Sequence, residues 1–155
     1  MLDTKAQNAD ISIYTDGAAR GNPGHSASGF MIIADGKVIN EESKYNGIAT
    51  NNYAEYTAVV LALEWCKIHF HNHSSIAINI YSDSELVIKQ LRNEYKIKSK
   101  DLKPLNEKAQ TLIKGFKFIG LNNVPRENEN ISKVDYNLNL LLDKITSEQK
   151  FINNK

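Results

Sequence analysis

The sequence is poor in cysteine, in tryptophan and in long apolar runs, and each shortage excludes something. Cys66 is the only cysteine in 155 residues, so an intrachain disulfide and a cysteine-built zinc site are both excluded. No apolar run approaches the roughly 18 residues of a membrane span. The opening Met1-Leu2-Asp3-Thr4-Lys5 has neither a basic nor an apolar region of signal-peptide type, so no secretory signal is expected there. Net charge is scarce too: 19 Lys and Arg against 18 Asp and Glu leave +1, which offers no overall attraction to a polyanion. A hydrophobic content of 41% still suffices for a core, so disorder does not describe the whole chain, and the length suits one domain.

The charges are not evenly spread. Residues 1–88 carry a net −5, residues 89–117 a net +6, and residues 118–155 balance at zero. Within the basic block, Lys96, Lys98, Lys100 and Lys103 fall in eight residues. Such a run is ordinarily a solvated loop and helix face, but it is also a footprint for phosphates. An acidic half beside a basic patch suits a protein that holds cations at one point and a polyanion next to it.

Hydrophobic periodicity predicts the order β-β-β-α-β-α-α-β-α. Residues 10–15 alternate as a strand that stops at Asp16-Gly17, with a small-residue loop over 18–24. Residues 27–34 read as a buried strand, and Asp35-Gly36 turns it into an antiparallel partner over 37–45. Thr50-Asn51-Asn52 starts a helix to about His69 that is apolar almost all round, hence central. A strand over 76–81 leads into a short helix over 85–92. A helix from Leu102 with Pro104 in its first turn, a strand over 116–121 and a C-terminal amphipathic helix complete the pattern. The expected fold class is α/β: a five-stranded mixed sheet, a three-strand antiparallel meander plus two parallel strands, flanked by helices. No repeat or linker divides it.

Four acids fall where side chains can converge. Asp16 and Asp83 are each expected to close a strand, and parallel neighbours would bring both to one edge of the sheet. Glu55 and Asp135 are expected in the first turns of the central and last helices. Clustered carboxylates repel one another unless a cation sits between them, and Mg²⁺ or Mn²⁺ accepts such hard oxygen donors. Each acid also has a local explanation: a turn residue for the two aspartates, a capping box Asn52-x-x-Glu55, and a macrodipole partner in Asp135. His69-x-His71-x-His73 lies far along the chain from the acids and reads as exposed loop, and Cys66 as inert core.

The motifs nonetheless form a set. Tyr14-Thr15-Asp16-Gly17-Ala18 with Gly21-Asn22-Pro23-Gly24, Thr50-Asn51-Asn52-Tyr53-Ala54-Glu55, Tyr81-Ser82-Asp83-Ser84 with Lys89-Gln90-Leu91, and Val124-Pro125-Arg126-Glu127-Asn128 leading to Val134-Asp135 occur in this order. From about Ser12 to Asp143 the chain resembles ribonuclease H of the type 1 class. The resemblance implies the ribonuclease H-like fold and endonucleolytic hydrolysis of the RNA strand of RNA/DNA hybrids, leaving 5′-phosphate and 3′-hydroxyl ends. Asp16, Glu55, Asp83 and Asp135 stand at the family's catalytic, metal-holding acids. Two Mg²⁺ or Mn²⁺ ions about 4 Å apart would straddle the scissile phosphate. In that scheme Asp16 bridges both ions, Asp83 and Asp135 hold opposite sides, and Glu55 meets an ion and a ribose hydroxyl. Substrate contacts carried over are the backbone at Ala19 and Gly21 with Asn51, Asn52 and Glu85 along the minor groove. Asn22 and Thr50 match a pocket for a DNA phosphate. A cytoplasmic monomer is expected, with residues 1–9 a disordered lead, 10–150 a single catalytic domain and 151–155 a tail.

The chain departs from the longer bacterial members in three ways. Leu91 to Lys103 is too short for their basic protrusion, so grip is expected from Lys96, Lys98, Lys100 and Lys103, with Tyr95. No histidine follows His73 where many members have one in the loop before the last aspartate; Arg126, Glu127 or Glu129 are the available substitutes. Val134 stands where alanine is usual. Two competing readings are a hydrolytically silent binder of hybrids or duplex RNA, and a related nuclease of integrase or resolvase type. The intact set of four acids disfavours the first, and Asn51-Asn52 with Asn22-Pro23-Gly24 disfavours the second.

Overall fold

The computed structural model describes residues 9–153. Strands β1 (Ile11–Gly21), β2 (Gly24–Ala34) and β3 (Lys37–Ala49) form the meander, followed by helix α1 (Asn51–His69) and a 3-10 turn at His73–Ser75. Strand β4 (Ala77–Ser82), helices α2 (Glu85–Leu91) and α3 (Leu102–Ile113), strand β5 (Phe118–Asn123) and helix α4 (Glu129–Asn153) follow. The sheet order is β3-β2-β1-β4-β5, with β1, β4 and β5 parallel and β2 antiparallel to both of its neighbours. The expected five-stranded mixed sheet is therefore the observed one. The expected lead lies almost wholly outside the described residues, and α4 runs on into the segment read as a tail.

Both faces of the sheet are covered. Ile13, Ile32, Ile78 and Ile80 pack beneath α1, α2 and α3 with Tyr56, Val59, Leu63, Val87 and Ile88. α4 covers the other face of the meander through Val134, Leu138 and Leu142 against Ala27 and Met31. A buried polar chain ties the three helices of the first face: the Tyr56 hydroxyl donates to Gln90 Oε1 (2.7 Å) and accepts from Asn106 Nδ2 (3.2 Å). The Asp35-Gly36 turn has positive φ at both residues (51° and 74°), the twist a two-residue hairpin needs. Among the described residues no helix is long and apolar enough to cross a membrane.

Several boundaries differ from those predicted, and one matters. β1 does not stop at Asp16-Gly17 but continues beside β2 to Gly21, so the turn shrinks to Asn22-Pro23. At Gly17, where the strand was expected to stop, backbones meet: a Cβ there would run into the backbone of Ala54 and Glu55. β2 and β3 lengthen correspondingly. Helix α4 begins at Glu129, capped by Asn128 Oδ1, which accepts from the amides of Asn130 (3.0 Å) and Ile131 (3.1 Å). Asp135 therefore sits in the second turn of α4, beyond the orphan amides of the first.

Candidate active site

The parallel pairing of β1 with β4 ends at Thr15 and Ser82, and Asp16 and Asp83 are the next residue on each strand. Both carboxylates thus arrive at one edge of the sheet, although only Asp83 leaves its strand there. Ser84 caps α2 through Oγ, which accepts from the Val87 amide (3.2 Å), and this fixes the turn that carries Asp83. Glu55 enters from α1. Thr50, whose Oγ1 accepts from the Tyr53 amide (3.1 Å), is the cap of that helix, so Glu55 lies past the first turn and the capping box does not form. Instead Glu55 Oε1 accepts from the amide of Gly17, which the missing Cβ lets α1 approach.

One oxygen each from Asp16, Glu55 and Asp83 lies within 4.8 Å of the other two, and no other such group of His, Cys, Asp or Glu occurs among the described residues. Asp135 reaches the same cleft from α4, outside that tight trio. The cleft has a volume of about 710 Å³ and its rim adds Ser84, Arg126, Glu127 and Ser132. Asp16 and Glu55 are only 6% and 7% exposed, which makes their charges expensive. Burial raises the Asp16 carboxyl from 3.8 to about 7, opposed by a contact from Glu55 and reinforced by the charges of Asp83 and Asp135. Burial and the Asp16 charge hold Glu55 well above its ordinary value. Asp83 is also raised by burial, with Arg126 pulling against it.

These carboxylates fit a divalent cation. Glu55 Oε2 is buried without a hydrogen-bond partner. A hard cation among three close carboxylates would satisfy that oxygen and relieve the repulsion together. The histidines offer no comparable arrangement: His69 stacks on Trp65 (4.1 Å between centroids) and His73 packs edge-on to Phe116. Cys66 is buried and its thiol pushed up to about 12, as expected of inert core.

A model of the RNase H family matches residues 8–131. The chain belongs to the ribonuclease H family. Among its relatives, Ribonuclease HI of Halobacterium salinarum is 37% identical over 117 residues, covering 75% of this chain and 57% of that protein. The bifunctional protein Rv2228c of Mycobacterium tuberculosis is 35% identical over 118 residues, 75% of this chain but 31% of its own length. The chain thus spans only part of the curated relatives it matches. In three dimensions it superposes on LC11-RNase H1 in complex with an RNA/DNA hybrid with a TM-score of 0.81 at 34% identity, covering 88% of this chain and 99% of that one. The RNase H domain of Rv2228c gives 0.80 at 29% identity, covering 92% and 99%.

The remaining residues matched to ribonuclease H motifs fall into two groups. Near the acids, the Ala19 amide donates to Asn51 Oδ1 (2.7 Å) and the Asn51 amide to Asn22 Oδ1 (3.0 Å), knitting the β1–β2 turn to the start of α1 beside Thr50 and Gly21. Further along, a second hollow of about 510 Å³ joins Asn52 to Tyr95, Lys96 and Lys98. Glu85 stands at the start of α2, where its Oε1 accepts from the Tyr95 hydroxyl (3.1 Å) and pairs with Lys89 (3.5 Å). Lys100 and Lys103 are exposed but line neither hollow. Arg126 and Glu127 reach the active-site cleft, whereas Glu129 does not line it. Sequence reasoning missed Ser84 and Ser132 as cleft residues, since a lone serine carries no spacing signal.

Proposed function

We propose that the protein is a metal-dependent endonuclease that hydrolyses the RNA strand of RNA/DNA hybrids. The observation that carries this reading is the convergence of Asp16, Glu55 and Asp83, with Asp135, in one cleft of a ribonuclease H fold. The superposition on an RNase H1 bound to a hybrid supports the choice of substrate. Asp16, Glu55, Asp83 and Asp135 would hold two Mg²⁺ or Mn²⁺ ions. When bound, such ions would supply activation of a water and stabilisation of the departing 3′ oxygen, and the products would carry 5′-phosphate and 3′-hydroxyl ends. The protein's own contribution is to hold four carboxylates at fixed positions, with Glu55 locked by the Gly17 amide.

Recognition follows from which polar atoms remain unused. Asn51 spends its oxygen on Ala19, so its amide NH₂ is what it offers a 2′-hydroxyl. Asn22 likewise spends its oxygen on Asn51, and Thr50 its acceptor on Tyr53, which leaves donors on both for a DNA phosphate. Ala19, Gly21, Asn52 and Glu85 extend this polar track, and Lys96, Lys98, Lys100 and Lys103 supply positive charge beyond it. Arg126 and Glu127, at the cleft rim, take the place of the loop histidine. The protein works as a monomer in the cytoplasm.

The test is a substrate panel: labelled RNA/DNA hybrid, duplex RNA and duplex DNA, each with Mg²⁺ or Mn²⁺, for wild type and Asp83→Asn. Cleavage confined to the hybrid and lost in the variant is expected. Equal cleavage by both proteins, or none with either metal, would sink the proposal.

A further inference from the structure

Within the tight trio, Asp16 and Glu55 are buried and Glu55 is held by the Gly17 amide; Asp135 is held differently. It is half-exposed in the second turn of α4, and its carboxylate is steered by a side chain one turn further on. Asn139 Nδ2 donates both to Asp135 Oδ1 (3.1 Å) and to the Asp135 carbonyl (2.9 Å). An amide side chain can serve in two orientations, and only the one with nitrogen toward Asp135 gives the carboxylate a donor. The two acceptors of Asp135 draw the nitrogen inward, and a donor facing the amide oxygen would fix that orientation from the other side.

Arg20 is that donor. It lies on β1 four residues beyond Asp16, on the same face, and its Nη2 donates to Asn139 Oδ1 and to the Asn139 carbonyl, both at 3.2 Å. The same nitrogen pairs with Asp143 Oδ1 at 2.6 Å. A guanidinium has donors only, so it can face the amide oxygen but not the amide nitrogen. With Arg20 in place the Asn139 nitrogen is turned toward Asp135. The alternative, that Arg20 merely fastens α4 to the sheet, accounts for less. α4 is already docked by Val134, Leu138 and Leu142, all buried. An ion pair whose side chains are 36% and 63% exposed adds little to stability.

We infer that Arg20 is a positioning residue: acting through Asn139, it sets the orientation of the Asp135 carboxylate for cation binding. The inference rests on the proposed metal role of Asp135 but not on the identity of the nucleic acid. Groups that orient a metal-binding carboxylate are worth on the order of tenfold or more in affinity or rate.

The experiment is a double-mutant cycle on the full chain, Arg20→Met, Asn139→Ala and both together, read by calorimetric titration with Mn²⁺ alone and by urea midpoints in EDTA. Each single variant should bind Mn²⁺ about tenfold more weakly. The double variant should be no worse than Asn139→Ala, because Arg20 has no other route to Asp135. In hybrid cleavage, kcat should fall with KM unchanged. Arg20→Met binding Mn²⁺ as wild type while its urea midpoint falls would overturn the inference, leaving Arg20 a fastening of α4. Losses that multiply in the double variant, or no Mn²⁺ binding by wild type, would also overturn it. If Arg20→Met does not fold, Asp143→Asn loosens the guanidinium more gently and should weaken Mn²⁺ binding less, but measurably; unchanged binding there counts against the inference. A protein that shows the Mn²⁺ pattern yet cleaves no hybrid would refute the proposed substrate and leave this inference standing.

Discussion

Replacing Asp16 by asparagine should make the metal-free protein more stable at neutral pH, although Asp16 is central to the proposed chemistry. In the folded protein the Asp16 carboxyl is raised to about 7, against an ordinary 3.8 that describes the unfolded chain. A raised acid keeps its proton longer folded than unfolded. Well below pH 3.8 both states are protonated and the group has no effect on stability. As pH climbs from about 4 to 7 the unfolded chain loses its proton first, so stability falls, and the full penalty is present above about 7. A rise from 3.8 to about 7 corresponds to a limit of roughly 4 kcal/mol, and the neighbouring Glu55 carboxyl lowers what one substitution recovers to about 2 kcal/mol. For a chain of this size that is on the order of 5 °C in Tm. The assay is thermal or urea unfolding of wild type and Asp16→Asn in EDTA at pH 4 and pH 8. The stabilisation should be present at pH 8 and vanish near pH 4. Saturating Mg²⁺ should stabilise wild type and reverse the order, since only the wild type has the full ligand set. An Asp16→Asn protein less stable than wild type at pH 8 in EDTA would show that the buried Asp16 charge does not destabilise the fold, as would a difference independent of pH.

Other expectations are independent of that one. Asp83→Asn should lose roughly 4 kcal/mol of transition-state stabilisation, about a thousandfold in kcat, while still folding, as circular dichroism and single-turnover kinetics would show. Gly17→Ala should destabilise by about 2 kcal/mol or more in urea titration, because its Cβ meets the backbone of α1 rather than a movable side chain. Tyr56→Phe, which strips Gln90 and Asn106 of a buried partner, should cost about 1–3 kcal/mol without touching the cleft. Replacing Lys96 and Lys98 by alanine should weaken hybrid binding and flatten its salt dependence more than replacing Lys100 and Lys103, since only the first pair lines the hollow beside Asn52.

The sheet was legible in the sequence because strand alternation, the Asp35-Gly36 turn and the nearly all-apolar α1 each carry a strong local signal. What misled was chemistry with two uses. Ala18 has the composition of a loop residue, yet it packs against the α4 core, while Gly17 before it is small because the α1 backbone meets the strand there. Asp16 was expected to end a strand; it ends only the parallel pairing, which depends on β4 and is invisible in local sequence. The pattern Asn52-x-x-Glu55 satisfied a capping box, but Thr50 took the cap and freed Glu55 for the site. The four acids emerged from motif order rather than from spacing, which alone favoured their local explanations. Arg20 and Asn139 left no trace, because a contact across 119 residues has no periodicity to read.

Hydrolysis of one strand of a hybrid by water activated in an acid-lined cleft leaves its signature in the chemistry of the product ends. A hybrid with both strands labelled, digested with Mg²⁺ and mapped at nucleotide resolution, should give RNA fragments with 5′-phosphate and 3′-hydroxyl ends and an intact DNA strand. Fragments ending in 2′,3′-cyclic phosphate would mean attack by the ribose itself, and cutting of the DNA strand would mean that the 2′-hydroxyl is not read. Either result would contradict the account.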